Sequence, residues 1–501
     1  MLRILSSEKK LCDGVSRRDL LQVGGLGACG LGLSHLLGSS QALASTTPGA
    51  DSSSFGRAKN CILLYLYGAP SQLETFDMKP EAPLEIRGTM RPIPSAIPGI
   101  DVCEHLPEVA KMLDRTTVVR SLTHPYPLHG VAFATTGVPA IDVAMELAPH
   151  DTRHQPYFGS LLQYLDHHRN GGRLADVPQN VALPFPFSSQ RVGEVSRAGP
   201  YAAYLGATFN PTWTEFVGKS TRSVYKTLQD KKIDVHDPYL GCDADSHFRF
   251  AAGNPLPEMT LDRLGRRRSL LQQFDVQRRE LEASLSGRSL SRYQELAFSM
   301  LSSPKVTEAL DVRREPHATR ERYGMTLFGQ ACLGARRMIE AGTRLVSVFW
   351  DEYGLAGDAW DTHWNHYPRM IDQLLPGFDK AFSGLVLDLE ERGMLDDTLV
   401  VVLSDHGRTP KLNNAQGAGR DHWSTAYSLV FAGGGIARGK VVGATDRDAG
   451  TPTDRPISPK DVLATMYHLL GYDPHTRVPD RSGSLIPLVP ESCDVVPEML
   501  A

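Results

Sequence analysis

Three short segments of this 501-residue chain set histidine beside aspartate: Asp361-Thr362-His363, Ser404-Asp405-His406-Gly407 and Arg420-Asp421-His422-Trp423. One such pair is more often a hydrogen-bonded structural pair than a ligand set. Three of them, two following apolar runs, point to a shared site. Neutral imidazole and carboxylate suit zinc, manganese or another divalent ion. Two such ions could clamp the attacking and leaving oxygens of a phosphoryl or sulfuryl transfer. Arg408, Lys411 and Arg420 stand beside these pairs. There they could hold a substrate oxyanion, the arginines in forked geometry and the lysine as a point charge.

Such side chains need elements to bring them together. Leu399 to Leu403 is a continuous apolar run, long enough for a strand and too short for a helix. It reads as a strand buried on both faces, opening at Ser404 into the Asp405-His406 loop. Ligands bind at that carboxyl edge of open α/β sheets. Leu345 to Trp350 is a second such strand, upstream of Asp361 and His363, and Cys61 to Tyr67 is a third, opening into Gly68 to Asp77. Thr116 to Arg120 and Tyr427 to Phe431 complete the strand set.

Helices are expected between the strands. One runs from about Thr326 to Ala341 and closes at Gly342. Another carries Leu374, Leu375, Phe378, Ala381, Phe382, Leu385 and Leu389 on one face. A third is capped by Ser458 with Pro459 at its first position and runs to Gly471. Val131 to Gly137 begins a helix that places His129 near its N-terminus, where an anion is favoured. The succession predicts an α/β fold with a mostly parallel central sheet and helices on both faces. Residues from about 150 to 300 read as an inserted helical cap, with Arg266 to Arg268 and Arg278-Arg279 mainly on a solvated face.

With 41% hydrophobic and 22% charged residues, the composition is that of an ordinary globular protein. The formal charge of −4 gives no broad electrostatic case for nucleic acid. Ser16-Arg17-Arg18-Asp19-Leu20-Leu21, a Gly-rich apolar run and Ala42-Leu43-Ala44 read as a twin-arginine export signal over 1–44, followed by a linker over 45–57. The run is too glycine-rich for a bilayer span, so membrane contact is expected only during export, to the periplasm or beyond. Cys61, Cys103, Cys242, Cys332 and Cys493 are widely spaced, which implies neither a disulfide framework nor a zinc ribbon.

Ser404-Asp405-His406-Gly407 resembles the Asp-His metal motif of the alkaline phosphatase, sulfatase and phosphoglycerate mutase superfamily. The set GAPSQLETFD, RSLTH with His129-Gly130, YLGATFNP, FGQACLGARRMIEAG, WDTH, SDHGRTP and GRDHW resembles more closely an uncharacterised, twin-arginine-exported, sulfatase-like domain-of-unknown-function family. The resemblance implies one alkaline phosphatase-like domain over 58–490, with a tail over 491–501. It implies a metal-dependent hydrolase of a small-molecule or glycan sulfate or phosphate ester, holding one or two divalent ions, zinc first, with manganese and calcium as alternatives.

By similarity, Asp405 and His406 would bind one ion and Asp361, His363 and His422 the other, with His366 as an alternative ligand and Asp421 as an orienter of a histidine. Two positions depart from the superfamily pattern. Gly68 stands where a metal-binding Asp is usual, leaving Glu74 or Asp77 as substitutes. Pro127 stands near the place of the nucleophilic Ser, Thr or Cys, and Ser71, Ser121 and Thr123 are only neighbouring hydroxyls. Water activated by metal would need no such side chain, with His129 as acid, base or oxyanion contact and Arg408 beside the reacting group. A binding or scaffolding protein that keeps the fold is the alternative.

Overall fold

The apolar runs become strands of one sheet. In the computed structural model the described residues are 54–127, 129, 131–138, 145, 147–173, 175–191, 198–228, 231–250, 304–354, 359–490 and 492–501. The expected export signal, most of the linker and the basic stretch from 261 to 301 lie outside them.

The sheet has nine strands: β1 (Asn60–Leu66), β2 (Thr116–Leu122), β3 (Asn180–Leu183), β4 (Thr212–Val217), β5 (His247–Phe250), β6 (Leu345–Trp350), β7 (Thr398–Ser404), β8 (Tyr427–Ala432) and β9 (Lys440–Val442). Their order is β9-β2-β8-β7-β1-β6-β3-β4-β5. At the centre β1 pairs in parallel with β6 (Leu64 opposite Val348) and with β7 (Leu64 opposite Val402). Every residue of β6 and β7 is buried, as a strand covered on both faces requires.

β8 departs from the parallel pattern. It runs antiparallel to both β7 and β2, with Tyr427 opposite Leu122. Its amino end therefore lies at the edge where β1, β2, β6 and β7 end, and the loop carrying His422 into β8 arrives there instead of at the opposite edge.

Helices flank the sheet. α1 (Val131–Thr136) packs against β7 and against the late helix Pro459–Leu469, while Leu327–Glu340 packs on Leu375–Glu391 and on β6. Caps set the boundaries: the Thr326 side chain accepts from the Gly329 N–H, and Ser458 and Asp461 form a capping box. The seven apolar residues expected on one face of Leu375–Glu391 and its approach are all buried.

The segment expected as a helical cap is different in its described part. Residues 150–250 hold the helix Phe158–Arg169 and the strands β3, β4 and β5, which extend the central sheet. The prolines of VALPFPF follow the strand Asn180–Leu183 and do not replace it with a loop. The five cysteines among the described residues are free and buried, with Cys61 and Cys332 fully enclosed in the core.

Candidate metal centre

Four loops meet at the carboxyl edge. Asp405 and His406 follow β7 directly, His129 comes from the loop after β2, and Asp361 and His363 come from the loop after β6. His422 enters through an antiparallel two-residue ladder that pairs Gly407 with Trp423 and Arg408 with His422.

The hydrogen bonds of four imidazoles each place a proton on Nδ1. An ionised carboxylate or a carbonyl oxygen only accepts, so the ring nitrogen facing it must donate. His129 Nδ1 lies 2.8 Å from Asp405 Oδ2, and His363 Nδ1 lies 2.7 Å from Asp421 Oδ1. His422 Nδ1 lies 3.0 Å from the Pro127 carbonyl, and His406 Nδ1 lies 2.8 Å from the Gly407 carbonyl. Each ring is thus pinned through Nδ1, which leaves Nε2 as the ligand atom.

The Nε2 atoms of His129, His363 and His422 gather around Asp361. Ligand atoms of His129, Asp361, His363 and His422 all lie within 4.8 Å of one another. Nε2 of His129, His406 and His422 is buried without a hydrogen-bond partner. His129 Nε2 is 3.1 Å from Asp361 Oδ2, and the Nε2 atoms of His363 and His422 are 3.0 and 3.6 Å from Asp361 Oδ1. Asp361 Oδ1 also has the Arg408 guanidinium at 2.5 Å, and a ring nitrogen that faces the carboxylate must carry a proton or give it up to a cation. Histidines held from behind by carboxylates and carbonyls are the usual support of a metal site.

The set therefore fits a divalent ion of the zinc or manganese kind. Calcium takes oxygen ligands, and these imidazoles do not suit it. Without a cation, a proton takes its place. Burial lowers the His129 pKa, but the flanking Asp361 and Asp405 carboxylates more than offset it and bring it up to about 9. Burial would raise the Asp361 carboxyl, yet Arg408 and the imidazoles hold it well below the usual carboxylate range. Burial, with the charge on His129 next, keeps His406 neutral, well below the ordinary imidazole value.

A family model described as a protein of unknown function (DUF1501) matches residues 58–500. The chain belongs to the DUF1501 family. No curated protein matches it. Among solved structures, the chain is similar to Ps i-CgsB at 12% identity, over 83% of this chain and 72% of that one, with a TM-score of 0.36. It is similar to the PsFucS1 sulfatase from Pseudoalteromonas sp. at 12% identity, over 84% and 69% of the two chains, with a TM-score of 0.36. It is also similar to a phosphonate monoester hydrolase of Agrobacterium radiobacter at 14% identity, over 87% and 78% of the two chains, with a TM-score of 0.33.

Within this DUF1501 chain, Asp405 supports the cluster from behind. Its Oδ1 accepts from the Tyr65 hydroxyl, and its Oδ2 accepts from the Gly68 N–H at 3.0 Å and from His129. His129 joins Asp361, His363 and His422 in its stead. His406 stands next to that set, its ring centroid 4.7 Å from His422 and 5.2 Å from His129.

Gly68 explains how Asp361 gets there. Its φ of +96° is in the region that favours glycine. A Cβ at this position would lie 2.4 Å from the Asp361 backbone nitrogen and 2.9 Å from the Trp360 carbonyl carbon. The loop after β6 therefore occupies the space a side chain on the first strand would need, and Asp361 brings a carboxylate from that loop instead.

Both arginines expected at the substrate are buried and engaged elsewhere. Arg408 donates through Nε to the Ala69 carbonyl at 3.1 Å, through Nη1 to the Arg420 carbonyl at 3.2 Å and through Nη2 to the Gly68 carbonyl, and it sits 2.5 Å from Asp361 Oδ1. It thereby positions Asp361. Arg420 is paired with Glu74 at 2.5 Å and donates to the carbonyls of Ile86, Thr409 and Pro410. Lys411 is exposed and outside the cluster.

The remaining candidates fall in supporting layers. His366 is fully buried, with Nδ1 2.8 Å from Thr362 Oγ1 and Nε2 3.4 Å from Glu74 Oε2. Asp77 pairs with Lys79 at 2.9 Å, so neither carboxylate of the loop after β1 reaches the site. The Ser71 hydroxyl donates to Glu74, and Ser121 donates to the Arg455 carbonyl at 2.5 Å. Asp421 orients His363, as the resemblance implied. Tyr65 escaped sequence reasoning because one phenol inside CILLYLY reads as core.

Proposed function

We propose that this protein is an exported, metal-dependent hydrolase of a sulfate or phosphate ester. One divalent ion, zinc or manganese, is held by His129, Asp361, His363 and His422. The observation that carries this reading is that four histidines are all held through Nδ1, with the Nε2 atoms of His129, His363 and His422 clustered with the Asp361 carboxylate.

An ion held there would polarise the ester and make a water nucleophile available near neutral pH, so no serine or cysteine is required. This chain's own groups divide the remaining work. Asp361, His363 and His422 are 22%, 29% and 24% exposed at the side chain, whereas Asp405 is fully enclosed, so substrate approaches from the first three. His406 offers a neutral imidazole beside them whose Nε2 can accept a hydrogen bond, since burial and the charge on His129 disfavour its protonated form. Arg408 holds the Asp361 carboxylate in place.

The substrate is a small-molecule or glycan ester. Export follows from the Arg17-Arg18 signal and delivers the folded protein to the periplasm; replacing both arginines by lysine and fractionating cells tests it, with retention in the cytoplasm expected.

One observation favours a second reading, a binding protein that keeps the fold and the ion. Arg408 and Arg420, the guanidiniums nearest the Asp-His motifs, are both turned to backbone carbonyls and carboxylates. Bound metal together with turnover of aryl sulfate, phosphate monoester and phosphate diester separates the two. Stoichiometric metal with turnover of at least one ester, lost in His422→Ala, supports the hydrolase. Stoichiometric metal with no turnover on any of the three supports the binding protein.

A further inference from the structure

We propose that Tyr65 is a positioning residue for His129, acting through Asp405. Tyr65 lies on the central strand β1, fully buried, opposite Leu403 of β7. Its hydroxyl donates to Asp405 Oδ1, while the Gly68 N–H donates to Oδ2 at 3.0 Å. With both oxygens held, the carboxylate has one orientation, and in it Oδ2 accepts from His129 Nδ1 at 2.8 Å. The main chain of Asp405 is fixed as well, since its carbonyl is 3.0 Å from His124 Nε2. The chain Tyr65–Asp405–His129 therefore runs from the sheet interior to a ligand atom and determines that His129 presents Nε2 to the cluster.

Removing the hydroxyl leaves Asp405 Oδ1 buried without its donor. The carboxylate then turns or takes up a proton, and His129 loses the acceptor that orients it. Supporting groups of this kind characteristically change metal affinity by about 10- to 100-fold. The inference rests on the metal-centred reading for its consequence, and the contact chain itself can be read without metal.

The test compares the wild-type chain with Tyr65→Phe and with Tyr157→Phe. The last removes another buried hydroxyl, hydrogen-bonded to Ser347 of β6 and outside this contact chain. Two quantities are measured: zinc affinity by competition with a chromophoric chelator, and the low-field imidazole N–H signal of His129 in metal-free, 15N-histidine-labelled protein.

Tyr65→Phe is expected to bind zinc at least about tenfold more weakly and to lose or shift the His129 signal, with Tyr157→Phe unchanged in both. Wild-type zinc affinity and an unchanged His129 signal in Tyr65→Phe overturn the inference, as does an equal loss in Tyr157→Phe. If the wild-type chain binds no zinc, the metal reading fails and the His129 signal alone decides the role of Tyr65. If Tyr65→Phe does not fold, Asp405→Asn is read in the same two ways, with the same losses expected and wild-type values contradicting the proposal.

Discussion

His129 bridges two carboxylates, with Nδ1 2.8 Å from Asp405 Oδ2 and Nε2 3.1 Å from Asp361 Oδ2. One contact belongs to the support of the site and the other to the ligand cluster. An ion taken up at this cluster would displace a proton from this ring, as happens wherever a ligand is protonated in the free protein.

The ligand set makes a selective prediction among histidines. His363→Ala and His422→Ala each lower zinc affinity by at least about tenfold. His168→Ala leaves it within about twofold, because His168 is exposed on the helix Phe158–Arg169, with Nδ1 2.8 Å from the Tyr164 carbonyl and no contact with the cluster or its support. Competition titration of the three variants measures this directly.

Gly68 is predicted to be irreplaceable for steric reasons. Gly68→Ala combines a left-handed φ with a contact of 2.4 Å to the Asp361 nitrogen, and it costs about 2 kcal/mol or more in urea unfolding. Gly68→Asp does not raise metal affinity, because the backbone of Trp360 and Asp361 occupies the space its side chain would need.

The Glu74–Arg420 pair beneath the site is predicted to behave as a buried ion pair. Glu74→Ala leaves the Arg420 guanidinium without its counter-ion and costs about 3–5 kcal/mol in the same assay.

That pair also gives a pH signature. Burial would raise the Glu74 pKa, but Arg420, followed by His366, lowers it from 4.5 to about 2. A carboxyl depressed on folding stabilises above its unfolded value and loses that contribution as pH falls through its folded value. The urea midpoint is therefore expected to fall between pH 4.5 and 2. In Glu74→Gln that part of the fall is absent.

Much of this was legible in the sequence for identifiable reasons. Strands β6 and β7 announce themselves as unbroken apolar runs, and Thr326, Gly342 and Ser458 mark helix ends through local backbone chemistry. Residue type and spacing single out Asp361, His363 and His422, and the fold brings these three side chains together. What spacing cannot carry is direction. Nothing in Tyr427–Ala432 says that β8 runs antiparallel, yet that reversal brings His422 to the site. Nor does a motif show what a side chain touches: Asp405 and Arg408 both stand in SDHGR, and only the fold shows that Asp405 meets Tyr65, Gly68 and His129 while Arg408 meets Asp361. The strands of residues 150–250 were hidden by nearby prolines and by the shortness of Asn180–Leu183 and His247–Phe250.

The most direct test of a metal-centred site is the metal content of the folded protein after equilibration with zinc or manganese and removal of excess ion. The expected result is about one equivalent per chain, falling to near zero in His422→Ala, as closure of one cluster by several ligands implies. A folded wild-type chain that retains neither ion, or a His422→Ala variant that retains a full equivalent, would contradict it.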